Sequence, residues 1–138
     1  MRIAVIGAGG IGGYFGGLLA RAGEDVSFLA RGRQLEALRS TGLTVKSRLA
    51  GTFSLPVHAT SAQEEIGPVD LVLFSIKMYD IGSALEGLHS LIGPKTVVLP
   101  IQNGIDAAEQ IGQVVGMQHL IGGVASVTSQ IESPGVIA

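Results

Sequence analysis

The chain begins Met1-Arg2-Ile3-Ala4-Val5-Ile6 and passes without a break into Gly7-Ala8-Gly9-Gly10-Ile11-Gly12. Few openings restrict a fold so far. The apolar run suits a strand buried on both faces, and the Gly-x-Gly-x-x-Gly spacing lets the backbone turn sharply into a helix while leaving room for a close neighbour. A helix started this way points unpaired N–H groups and the positive end of its dipole out of the turn, which suits a diphosphate. Strand, glycine turn and helix in this order predict a dinucleotide-binding βαβ unit, with Gly7, Ala8, Gly9, Gly10, Ile11 and Gly12 cradling the pyrophosphate.

The pattern that follows supports this. Ile11, Phe15, Leu18 and Ala22 recur at helical spacing before Gly23, and Asp25 to Ala30 reads as a second strand. A short helix is predicted over Gln34 to Ser40. Two short strands, Leu43 to Lys46 and Phe53 to Ala59, flank Ala50-Gly51. Leu71 to Ile76 and Thr96 to Ile101 are apolar enough for buried strands, each followed by a helix, over Ile81 to Leu91 and Ile105 to Val115. Alternating strands and helices of these lengths predict an α/β, Rossmann-type doubly wound, mostly parallel sheet with helices on both faces, one domain over residues 1–138. The chain ends Ser-Pro-Gly-Val-Ile-Ala, an apolar ending that reads as continuing into a strand or a following domain.

The first helix carries an excess of glycine. Gly9, Gly13 and Gly17 are spaced by four, as are Gly12, Gly16 and Ala20, so each set forms a bare ridge. An interior helical glycine costs about 1 kcal/mol relative to alanine. Something therefore packs very close here, either strands of the same domain or a further domain.

Composition narrows the partners. Charged residues are 14% of the chain, against about 25% ordinarily, while hydrophobic residues are 46% and the net charge is -2. No basic stripe exists to meet a nucleic acid backbone, and no run approaches the roughly 20 apolar residues of a membrane span. The chain has no cysteine, which excludes disulfides and thiolate metal sites and is compatible with the cytoplasm. His58, His89 and His119 are too scattered for a metal cluster, and Glu64-Glu65 reads as a solvated face. No nucleophile and base pair is apparent.

The end of the second strand carries the most specific chemistry. An NAD-binding domain places an acid there to accept from the ribose 2′-hydroxyl. This chain has Leu29-Ala30-Arg31-Gly32-Arg33 instead, with no carboxylate before Glu36. A guanidinium forks onto a phosphate, so Arg31, helped by Arg33, points to the 2′-phosphate of NADP. Lys77 follows a wholly apolar strand and Asn103 sits in Gln102-Asn103-Gly104, both where ligands meet the carboxyl ends of strands. Taken singly, the lysine also fits a plain surface position and Asn-Gly a turn.

Together Gly7 to Gly12, Leu29 to Arg33, Ser75-Ile76-Lys77 and Gln102-Asn103-Gly104 resemble the N-terminal domain of the ketopantoate reductases, with Ile121 to Ala125 and Ser133 to Ile137 resembling the passage toward that family's second domain. The resemblance spans essentially the whole chain. It implies NADPH-dependent reduction of the 2-keto acid ketopantoate to pantoate, for pantothenate synthesis. In that role Arg31 would hold the 2′-phosphate, Lys77 would lie beside the cofactor, and Asn103 would lie near the nicotinamide ribose and the substrate. It also implies that the proton-donating lysine belongs to a C-terminal helical substrate domain absent from these residues, so that the catalytic set is incomplete and the fragment inactive. A homodimer is an assembly open to such a protein. Two other readings stand beside this one: a reductase of a different 2-keto acid, and a non-catalytic NADP-sensing domain.

Overall fold

The computed structural model describes residues 1–75, 81–101, 105–121 and 130–138. Its centre is a five-stranded sheet of β1 (Arg2–Ile6), β2 (Asp25–Leu29), β5 (His58–Thr60), β6 (Val69–Phe74) and β7 (Ile92–Pro100), in the order β5-β2-β1-β6-β7. Every pairing in it is parallel. The order reverses direction between β1 and β6, and a doubly wound sheet opens its ligand crevice at such a point.

Period two divides the core. On β1, Ala4 and Ile6 join one apolar cluster with Val72 and Phe74 of β6, while Ile3 and Val5 join another with Leu73. The first cluster is covered by α3 (Gln63–Ile66), α4 (Ile81–Glu86), a 3-10 turn over Leu88–Leu91 and α5 (Ile105–Val115). The second is covered by α1 (Gly10–Arg21) and α2 (Gly32–Ser40). The sheet is thus helical on both faces, as the apolar strands require.

A second sheet lies beyond α1, in the order β4-β3-β9-β8, built from β3 (Leu43–Ser47), β4 (Gly51–Leu55), β8 (Ile131–Ser133) and β9 (Val136–Ile137). Its strands explain the glycine ridges. A Cβ at Gly16 would stand 2.6 Å from the Phe28 ring and 2.9 Å from Val5, both of the main sheet. One at Gly13 would stand 2.7 Å from Ile137, and one at Gly17 2.9 Å from Val45 and 3.0 Å from Leu43, all of the second sheet. The close neighbours are strands of the same chain, and each ridge serves a different sheet. Arg21 closes the far end of α1, its guanidinium 4.3 Å from the Phe53 ring centroid and donating to the Ala50 carbonyl at 2.9 Å.

Several boundaries differ from the sequence reading. Phe53 to Ala59 is not one strand: Phe53 pairs antiparallel with Val45 in the second sheet, whereas His58 pairs parallel with Ser27 in the first. Pro56, which has no N–H to give a ladder, stands between them. The helix after β6 ends at Glu86, with Gly87 and a 3-10 turn where a continuous helix is expected to Leu91. The strand expected from Thr96 begins at Ile92. Helix α3 answers to no predicted element, although Glu64 and Glu65 are exposed as expected. Val136 and Ile137 do form a strand, with Ile137 fully buried. Among the described residues, no helix is long and apolar enough to cross a membrane.

Candidate functional site

The site begins where β1 ends. Ile6 and Leu29 are register partners on adjacent strands, so Gly7 and Ala30 leave the same edge of the sheet and Gly7 N–H donates to the Leu29 carbonyl at 3.3 Å. Gly7 has φ 99°, a conformation that L side chains rarely adopt, which is what turns the chain out of the strand. Gly12 closes the turn from the other side: a Cβ there would meet the Gly7 carbonyl oxygen and the Ser75 hydroxyl, and Val5 at 3.1 Å.

Gly9 is the N-cap of α1 and supplies no side chain, and the first turn of the helix contains no acid. A Cβ on Gly9 would meet nothing within 4 Å. The two glycines therefore serve opposite needs. Gly12 makes way for the protein itself, and Gly9 leaves open space in front of the helix end, where the first backbone N–H groups have no intrahelical partner. A diphosphate fits this end in charge and hydrogen-bonding capacity.

Arg31 and Arg33 stand at the start of α2, both exposed, with Arg31 as N-cap. The first turn of α2 also contains no acid. The carboxyl end of β2 is thus flanked by two guanidinium groups and a second positive helix end, beside the glycine turn. This arrangement favours an anion at the place where a ribose hydroxyl acceptor would otherwise be needed.

Ser75, directly after β6, takes part in a way its sequence context does not reveal. Its N–H donates to the Ile6 carbonyl at 2.9 Å, and its hydroxyl lies 3.1 Å from that oxygen and 2.9 Å from the Gly7 carbonyl oxygen. It ties the switch point shut under the turn. Gln34 of α2 is a second contributor absent from the predicted set, its amide donating to the Ala8 carbonyl at 2.7 Å. Gln34 has no sequence signal, since a glutamine on a helix is commonplace, and Ser75 stands out only as part of Ser75-Ile76-Lys77, with no role of its own. Lys77, Gln102 and Asn103 lie outside the described residues. Their described neighbours end adjacent strands, with Ile101 N–H donating to the Phe74 carbonyl at 3.0 Å.

The remaining polar groups are engaged elsewhere. His58 Nδ1 pairs with the Ser27 hydroxyl at 3.0 Å, His119 Nδ1 donates to the Thr96 carbonyl at 2.7 Å, and His89 is exposed. Among the described residues no group of His, Asp and Glu could hold a metal ion. A cavity of about 320 Å³ lies between the end of α2 and β4, lined by Arg39, Thr41 and Leu55 among others, at the opposite end of α2 from Arg31. Arg39 Nε donates to the Ala59 carbonyl of β5 at 3.1 Å.

The family model described as ketopantoate reductase PanE/ApbA matches residues 3–138. The chain belongs to this family. A ketopantoate reductase relative, the 2-dehydropantoate 2-reductase of Pyrococcus horikoshii, is 36% identical over 99% of this chain and 44% of its own length. The crystal structure of 2-dehydropantoate 2-reductase from Geobacter metallireducens superposes with a TM-score of 0.92 at 43% identity, over 99% of this chain and 45% of that one. A ternary structure of D-mandelate dehydrogenase with NADH and anilino(oxo)acetate gives a TM-score of 0.89 at 27% identity, over 99% of this chain and 45% of that one. The chain thus spans just under half the length of these ketopantoate reductase family relatives.

Proposed function

We propose that these residues are the NADP-binding domain of a 2-dehydropantoate 2-reductase. The observation that carries the cofactor choice is Arg31 at the N-cap of an acid-free helix end, reached from β2, the strand paired with the β1 that leads into the glycine turn. In this reading Gly7, Ala8, Gly9, Gly10, Ile11 and Gly12 hold the pyrophosphate through backbone N–H groups, and Arg31 with Arg33 holds the 2′-phosphate. When bound, the reduced nicotinamide supplies a hydride for a substrate ketone. Lys77 and Asn103, which follow β6 and β7 in sequence, are assigned to the cofactor and to the keto acid. Reduction of a ketone also needs a general acid for the developing alkoxide. That group is assigned to a helical substrate domain in the remaining half of the protein, so this domain alone is expected not to turn over. A cytoplasmic site, consistent with a chain without cysteine, and assembly as a homodimer belong to the same proposal, with a small 2-keto acid as partner rather than nucleic acid or membrane.

Titrating the chain with NADPH and NADH tests the cofactor assignment, and equal affinities would defeat it. NADPH oxidation with ketopantoate, by this domain and by the full-length protein, tests the rest: turnover is expected of the full-length protein only. A second reading, reduction of a different 2-keto acid, is favoured by the D-mandelate dehydrogenase likeness. Comparing ketopantoate with an aromatic 2-keto acid separates the two.

A further inference from the structure

Gln34 spans two parts of the chain that are remote in sequence. Its Nε2 donates to the Ala8 carbonyl at 2.7 Å, and its Oε1 accepts from Gly135 N–H at 2.8 Å. A neutral side-chain amide can do both at once, whereas a carboxylate has no donor and an ammonium no acceptor. The Gly135 end is fixed: its carbonyl accepts from Thr44 N–H at 2.8 Å, and a Cβ on it would stand 3.1 Å from Ala37 Cβ. The free variable in this bridge is therefore the orientation of the Ala8–Gly9 peptide.

We propose that Gln34 is a positioning residue for the dinucleotide turn, holding the Ala8 carbonyl so that the Gly9 N–H faces the pyrophosphate. The proposal rests on the dinucleotide reading above. In a trans peptide the carbonyl and the following N–H point in opposite directions. Securing the Ala8 oxygen against α2 turns the Gly9 N–H away from α2, where it finds no acceptor among the described residues. The space beside Gly9 is open. Without the bridge the peptide could rotate, and a donor presented before the ligand arrives would have to be ordered during binding. Gln34 also brings no negative charge to this positive helix end, where a glutamate would oppose the bound phosphates.

The test uses the 138-residue chain, with calorimetric titration of two probes that share a 2′-phosphate. One is 2′-phospho-ADP-ribose, which carries the pyrophosphate, and the other is adenosine 2′-monophosphate, which does not. Gln34→Met is expected to weaken the first about tenfold and the second by less than about twofold, the size of one lost hydrogen bond acting on one end of the ligand. Gln34→Asn, neutral but too short to span both partners, should show the same split and stands in if the methionine variant folds poorly. Equal losses on both probes would mean a merely structural role, and no loss on either would mean the bridge is idle. Each of those results overturns the proposal. Failure of the unaltered chain to bind either probe would instead retire the dinucleotide reading, and this inference with it.

Discussion

The Phe28 ring lies against α1 at Gly16 so tightly that a methyl group on the glycine would stand 2.6 Å from the ring edge. Helix propensity alone says that alanine there should stabilise by about 1 kcal/mol. The packing says the reverse. Phe28 is fully buried in the middle of the second cluster and has little room to retreat, so Gly16→Ala is expected to destabilise by about 1–3 kcal/mol. Equilibrium urea unfolding checks the sign, and a more stable variant would refute the packing argument.

Gly9 offers the opposite case. Its φ of -85° and ψ of -158° are open to alanine, and a Cβ there meets nothing. Gly9→Ala should melt within about 2 °C of the parent. Its NADPH affinity should fall about tenfold or more, because the methyl group occupies the space the pyrophosphate needs. Nicotinamide fluorescence titration beside a thermal melt measures both quantities.

Arg31→Ala should cost about 1.5–3 kcal/mol in NADPH affinity, the range of hydrogen bonds to a charged group. NADH, which lacks the 2′-phosphate, should be affected little. Arg31→Lys should recover only part of the loss, since an ammonium cannot fork onto a phosphate. Paired titrations of the three proteins with both nucleotides decide this. Parallel losses for the two nucleotides would remove Arg31 from the 2′-phosphate.

Ile137 and Gly13 make a complementary pair between the second sheet and α1, with Ile137 Cγ1 at 2.7 Å from the place of a Gly13 Cβ. Ile137→Ala should cost about 2–4 kcal/mol through the cavity it leaves. Adding Gly13→Ala to it should recover about 1 kcal/mol, because the new methyl group enters that cavity. Added to the parent, the same change should destabilise. Denaturant unfolding of the four proteins gives the coupling energy, and strict additivity would contradict the geometry.

Legibility from sequence followed the range of the interactions. β1, α1 and β2 carry their signals within thirty residues, and the bounds of α5, Ile105–Val115, follow from its apolar spacing. The glycine ridges announced a close neighbour but not its identity, because nothing local connects Gly13 to Ile137. The split of Phe53 to Ala59 between two sheets depended on partners at Val45 and Ser27, on different sheets. The break at Gly87 had a visible cue in the glycine itself, which the apolar spacing of Leu85, Leu88 and Leu91 overrode. At the site, Gly7 to Gly12 and Arg31 stand out in the sequence because the proposed chemistry needs particular residue types, and the structure puts the turn at the end of β1 and Arg31 at the N-cap of α2. Gln34 does not stand out, since its meaning depends on Gly135, 101 positions away.

From Gly10 to Ala20 not one residue of α1 is exposed. Its two glycine rows lie about 100° apart around the axis, and each is spoken for by a different sheet. A single inserted or deleted residue would rotate side chains such as Tyr14 or Phe15 into both sheets at once, with no solvent face to receive them. The helix therefore has one admissible rotation, and the direction in which its first amides point is settled in the apo protein by side chains that never come near the anion.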